Sequence, residues 1–361
     1  QVIYVGNENV TNGGYWTTDS AGTVTAFTGE GTPADNFIYY DASRNTLTLH
    51  NATIRMSVSI NTNSLLAGAA IGVLNQYGDG NAELTITLEG TNTIAEVGKG
   101  IYVLANSTGG ATLTITGDGS LDASASQTGI WVQSNNGNGA LFIQNAKVEA
   151  TGTSYGVNVQ SRESSAASLT VDGGSLTASG SPGILYDSIG SGTVPKTTAL
   201  TISNSAIVDA RNGEIGAGST TNLQPVPPSG NGIVFNGDDG TVYGVVTLKE
   251  DLTIGEGESL TIPDNSSLNT NGNTITVENG GKLEGTINGN QPPMITASPV
   301  NQTVEEGSSA AFSVTASASE GEQLTYQWQQ KTTDSESEWG DISNATTASY
   351  TIEATTTSMN D

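Results

Sequence analysis

One phrase recurs along this chain, and it restricts the fold more than any other feature. Leu113-Thr-Ile-Thr-Gly-Asp-Gly-Ser-Leu121-Asp-Ala-Ser is followed by Gly129-Ile-Trp-Val. The same phrase returns as Leu141-Phe-Ile-Gln-Asn-Ala-Lys-Val148-Glu-Ala-Thr and Gly156-Val-Asn-Val. Each part alternates apolar and polar residues, the period of a strand with one buried face. Turns rich in Gly, Asn, Ser and Asp separate the parts. Short strands returning at steps of 27 to 31 residues predict an all-β solenoid, a right-handed parallel β-helix with three strands per coil.

Aligning the first strands puts Leu47, Ile86, Leu113, Leu141, Leu169 and Leu200 in one column, at steps of 39, 27, 28, 28 and 31 residues. The long first step implies an insertion near 61–69. Second strands follow at Ile54, Ile94, Leu121, Val148, Leu176 and Ile207, and third strands at Ile71, Ile101, Ile130, Val157 and Ile184. Such aliphatic columns suit the inside of a continuous core. Residues 1–45 lack the repeat and are expected to cap the open apolar end, with the helix running over 46–290. Pro225, Pro227 and Pro228 mark a loop inside it. From Val245 the rhythm tightens, with Leu252, Leu260, Leu268, Ile275 and Leu283 seven or eight residues apart, which implies narrower coils. Gln291-Pro-Pro293 reads as a linker over 291–293.

Composition narrows the function. Only 13% of residues are charged, and 36 acidic against 10 basic residues give a net charge of −26. Nucleic-acid binding needs a basic stripe, so it is excluded as an expectation, and an anionic membrane surface is disfavoured. Cysteine is absent, which removes disulfides and thiolate metal sites. No apolar run approaches the roughly 18 residues of a membrane span. The Ser, Thr, Asn and Gly bias points to export as a monomeric extracellular or cell-surface protein.

Chemistry would sit on outward positions of the strand columns. The first column presents His50, Glu89, Thr116, Gln144, Asp172 and Ser203. Glu89 and Asp172 fall three coils apart, about 14 Å, too far for a glycosidase pair. In the second column Asp122 and Glu149 take equivalent outward positions on successive coils, with Lys147 one outward step away. Such a pair can share Ca²⁺, raise one another's pKa for acid work, or form a solvated ladder offset by Lys147. The third column presents Gly72, Tyr102, Trp131, Asn158 and Leu185. Tyr102 and Trp131 should stack, with Tyr155 at the next corner. As a flat platform these rings would pack against a sugar's C–H face while Gln133 and Asn158 bond its hydroxyls. The competing reading is a ladder that stabilises the sheet or lies under a loop. His50, the single histidine, supports no Ser–His–acid arrangement.

Three phrases carry a family resemblance: Tyr40-Asp-Ala-Ser-Arg-Asn-Thr-Leu-Thr-Leu-His-Asn-Ala-Thr-Ile54, Ile86-Thr-Leu-Glu-Gly-Thr-Asn-Thr-Ile94 and Asp251-Leu-Thr-Ile-Gly-Glu-Gly-Glu-Ser-Leu-Thr-Ile262. Over roughly 1–290 the chain resembles large surface proteins of gut Firmicutes with pectin-lyase-like β-helices, some labelled carbohydrate-binding. The resemblance implies secretion, surface attachment and contact with a polysaccharide or host glycan, and supplies no catalytic residue. Residues 294–361 resemble a bacterial immunoglobulin-like domain. Leu324-Thr-Tyr-Gln-Trp328 stands as its core-tryptophan strand and Ser349-Tyr-Thr-Ile-Glu353 as a later one. The chain stops before two further strands of that pattern, so the expectation is a truncated domain. The favoured role is non-catalytic glycan binding or adhesion. A polysaccharide lyase or glycoside hydrolase and a purely structural stalk remain open beside it.

Overall fold

A computed structural model covers the chain, and residues 1–106, 108–162, 166–188, 198–217, 227–288, 294–317, 324–331 and 339–359 are described. They are all-β, with no α-helix, and include a β-solenoid of about five turns stacked in parallel. The chain divides into two compact units, Gln1–Gly237 and Asp238–Asp361. The expected linker at 291–293 lies outside the described residues, as do Pro225 and most of the loop around it.

In the first unit, strand follows strand in parallel register. One stack runs from Thr46–His50 through Ala82–Glu89, Ala111–Gly117, Gly139–Gln144 and Ala167–Asp172 to Thr198–Ala210. It is called the threonine face below. The long strands Thr91–Ala105 and Ser120–Ser134 each bend and contribute to two further stacks. One continues into Lys147–Thr151 and Ser175–Ser179. The other continues into Tyr155–Ser161 and Ile184–Ser188. Inward side chains are apolar and out of water: Leu84, Leu113, Leu141, Leu169 and Leu200 stack with at most 2% exposure. Each such residue contributes about 1.5–3 kcal/mol of burial.

The column expected from Ile71 through Ile101, Ile130 and Val157 to Ile184 pairs residue for residue. Glycine sets its entry. A Cβ on Gly129 would lie 2.7 Å from the Gly156 carbonyl oxygen, and one on Gly156 2.8 Å from that of Gly183. Only glycine lets these corners nest. The other two columns are corrected near their start. Leu47 and Ile86 continue into Ile115, not Leu113, and Ile94 pairs with Ala123, not Leu121. A two-residue slip keeps every apolar side chain on the inner face, so alternation alone cannot detect it. Glu89 therefore leaves the row of Thr116 and Asp172, and Thr93 neighbours Asp122. Farther along, Leu176 meets Val208 rather than Ile207.

Before Thr46 the strands turn antiparallel. Gly14–Thr18 pairs with Val24–Ala26 and with Phe37–Asp41, which pairs with Thr46–His50. Val2–Val5 runs antiparallel to Ala69–Asn75. In the second unit, parallel pairs join Leu252 to Ile275, Leu260 to Leu283, and Leu268 to Val246 and Ile287. Beyond Met294 the pairing is antiparallel, with Ala310–Ser313 against Ser349–Ile352. Trp328 packs near Phe312 and Tyr350, at 6.4 and 6.1 Å between ring centroids.

Candidate functional site

Three of the residues singled out as a sugar platform, Tyr102, Trp131 and Asn158, do share an outward row: Gly72, Tyr102, Trp131, Asn158 and Leu185 pair in sequence across neighbouring strands. The Tyr102 and Trp131 rings stack at 4.8 Å with 29° between planes. Near-parallel rings only one strand spacing apart cannot lie side by side. They stand on edge with their faces pressed together, so this row forms a ladder and not a flat platform.

The ladder is also covered. Val58 and Leu66, from the insertion after the first coil, pack with Leu74, Leu104 and Tyr102, and leave Trp131 half-buried beside them. The insertion closes on itself through Val58 N to Ala69 O at 2.8 Å and Gly68 N to Val58 O at 2.9 Å. Lys99 donates from Nζ to the Ala67 carbonyl at 3.0 Å and lies 5.5 Å from the Tyr102 ring centroid. Tyr102 is 5% exposed. Burial pushes its phenol up to about 12, against a smaller opposing effect of Arg162. Burial likewise lowers the Lys99 ammonium. The Tyr102 hydroxyl donates to Gln133 Oε1 at 3.1 Å, and Gln133 Nε2 donates to Asn135 at 2.9 Å. Gln133 and Asn158 are themselves buried. Trp131 Nε1 and Asn158 Oδ1, on adjacent strands, are buried without hydrogen-bond partners. Tyr155 pairs with Thr128, away from this row. Of the five expected residues, Tyr102, Gln133 and Asn158 are buried in this seam, Trp131 is half-buried at its edge, and Tyr155 stands apart.

Asp122 and Glu149 do oppose one another, flanked by Thr93 and Thr177. Ser124 donates to Asp122 Oδ1 at 2.7 Å. Asp209, one strand beyond Thr177, is held by Arg211 at 2.6 Å. Among the described residues no three His, Cys, Asp or Glu side chains gather. The pair therefore stands without a third acidic side chain among the described residues, beside two threonine hydroxyls.

The threonine face differs from the seam in that none of its aromatic residues is fully buried, whereas Tyr102 is. Tyr15 and Tyr39 stack at 4.4 Å and 26°, and Phe37 stacks on His50 at 4.7 Å and 8°. Tyr15 meets Phe37 edge-on at 5.8 Å. All four are half-buried. His50 Nδ1 and Glu89 Oε2 are 3.0 Å apart. Alternation explains the arrangement: Ile38 and Tyr40 point into the core, which turns Phe37 and Tyr39 outward. These residues precede the repeat, and the sequence signal for them is the alternation in Phe-Ile-Tyr-Tyr. Register carries the aromatic strip onto hydroxyls. Tyr39 is followed across the strands by Thr48, Thr87 and Thr116, and Asp41 by Thr46, Thr85, Thr114 and Phe142.

Among the described residues, no helix is long and apolar enough to cross a membrane. No protein-family model, no curated protein and no solved structure matches the chain.

Proposed function

We propose that this chain is an exported, non-catalytic surface module that holds carbohydrate on the outside of its solenoid. In this reading the solenoid is a right-handed, pectin-lyase-like β-helix with three strands per coil. The antiparallel strands after Met294 belong to an immunoglobulin-like domain built around Trp328. The observation that carries the reading is the half-buried aromatic strip of Tyr15, Phe37 and Tyr39, running in register onto rows of threonine hydroxyls. Aromatic rings beside hydroxyl donors and acceptors are what a sugar's apolar and polar faces require together. The contact is therefore assigned to the threonine face, not to the covered Tyr102 and Trp131 seam. A surface of hydroxyls and amides with few charges suits both the stacked strands and an extracellular setting.

The test is a glycan array probed with the full chain, with assays for new reducing ends and for unsaturated products run on every positive. Binding without cleavage is expected. Cleavage would replace the reading with that of a polysaccharide-degrading enzyme, and an array with no positives would leave the solenoid a structural stalk.

A further inference from the structure

The threonine face is bounded at two ends. On one side stands the Tyr15–Tyr39 stack, and the next side chain across the strands is Thr48, too short to cover the second face of Tyr39. On the other side, one row over, Phe142 rises from the strand Gly139–Gln144 between Thr114 and Thr170 and is half-buried. Between these walls lie three strands, Thr46–His50, Ala82–Glu89 and Ala111–Gly117, whose outward side chains include Thr46 and Thr48, Thr85 and Thr87, Thr114 and Thr116. All six are half-buried. The floor is low, even and lined with hydroxyls.

We propose that this trough binds a neutral linear oligosaccharide of about three sugar units, lying across the strands. The proposal rests on the glycan-contact reading and names its site, charge class and length. The length follows from the strands: a pyranose is about as wide as one strand spacing, about 4.8 Å, so three open strands seat roughly three sugars. Tyr39 and Phe142 offer ring faces to the end units, and the paired threonines offer hydroxyls to the sugar edges between them. The charge class follows from the rim. Asp41, Glu83 and Glu89 flank the floor, with Arg44 3.8 Å from Asp41 and His50 3.0 Å from Glu89. A uronate or sulfated chain would meet carboxylates on approach, whereas a neutral chain does not.

The experiment is calorimetric titration of the full chain with neutral gluco-, xylo- and manno-oligosaccharides from disaccharide to hexasaccharide, with oligogalacturonates as the charged control. Affinity is expected to rise up to the trisaccharide or tetrasaccharide and then level off, with no oligogalacturonate binding. Tyr39→Ala should weaken binding by roughly tenfold. Phe142→Ala should shift the plateau to a different length. Thr87→Trp, which fills the floor from a half-exposed position, should abolish binding while the circular dichroism spectrum stays that of the parent. Binding that survives all three variants overturns the trough and leaves carbohydrate recognition standing elsewhere on the chain. Preference for oligogalacturonates overturns the charge argument, and with it the site. Absence of any carbohydrate binding removes both the trough and the broader reading.

Discussion

Two tyrosines of this chain occupy the same kind of place, outward on a strand and stacked on a neighbouring ring, yet they should differ sharply in what they hold together. Tyr102 is 5% exposed, lies under Val58 and Leu66, and donates its hydroxyl to Gln133. Truncating a ring so buried costs about 3–5 kcal/mol. Losing the pair with Trp131 adds about 0.5–1.5 kcal/mol, and the Gln133 acceptor is left unmet. A total near 3.5–6.5 kcal/mol, at about 2–4 °C per kcal/mol for a unit of this size, lowers the melting temperature by roughly 7–26 °C. Tyr39 keeps part of its ring in water and makes its main contact with Tyr15. Tyr39→Ala should cost about 1 kcal/mol and about 2–4 °C. Differential scanning calorimetry on Tyr102→Ala, Tyr39→Ala and the parent chain measures the contrast. If the two variants melt within about 2 °C of each other, the insertion does not seal the Tyr102 seam and the division between closed and open aromatic rows is wrong.

Three further outcomes follow from the same geometry. Tyr102 titrates near 12 in the folded chain, against an ordinary 10.0; the folded state thus keeps a proton that the unfolded chain loses. Its contribution is complete below pH 10 and disappears between about pH 10 and 12, a loss of about 3 kcal/mol. Urea titrations across that window should show the loss in the parent and a smaller one in Tyr102→Phe. Asn158 Oδ1 has no hydrogen-bond partner, so Asn158→Leu should hold or raise the melting temperature, since an unmet buried acceptor costs about 1–3 kcal/mol; a marked fall would mean that the oxygen is bonded in solution. Calcium should leave the melting temperature unchanged, because no third acidic side chain among the described residues joins Asp122 and Glu149; a calcium-induced rise lost in Asp122→Asn with Glu149→Gln would give the pair a metal role.

The stacked core was legible in the sequence wherever glycine fixed the register. Gly129-Ile-Trp-Val and Gly156-Val-Asn-Val align in only one way, because their glycines must nest, and Ile130 and Val157 pair accordingly. Leu47, Ile86 and Leu113 carry no such marker. A slip of two residues costs an apolar column nothing that alternation can reveal, and the alignment slipped there. The outward direction of Tyr102 and Trp131 was readable for the same reason as the Ile101 column. Their enclosure was not, since it depends on Val58 and Leu66 folding back from an insertion whose path no local pattern dictates. The outward face of Tyr15, Phe37 and Tyr39 was less legible because their antiparallel pairing lies outside the repeat, although Phe37 and Tyr39 already alternate with the inward Ile38 and Tyr40.

Hydroxyl-radical footprinting of the full chain, with and without a saturating neutral oligosaccharide identified by titration, tests the central claim most directly. Tyr15, Phe37, Tyr39 and Phe142 should lose reactivity when the sugar binds, while Trp131 and Tyr155 should keep theirs. Protection at Trp131 with Tyr39 unchanged would return the contact to the seam beneath the insertion and contradict the assignment of carbohydrate to the threonine face.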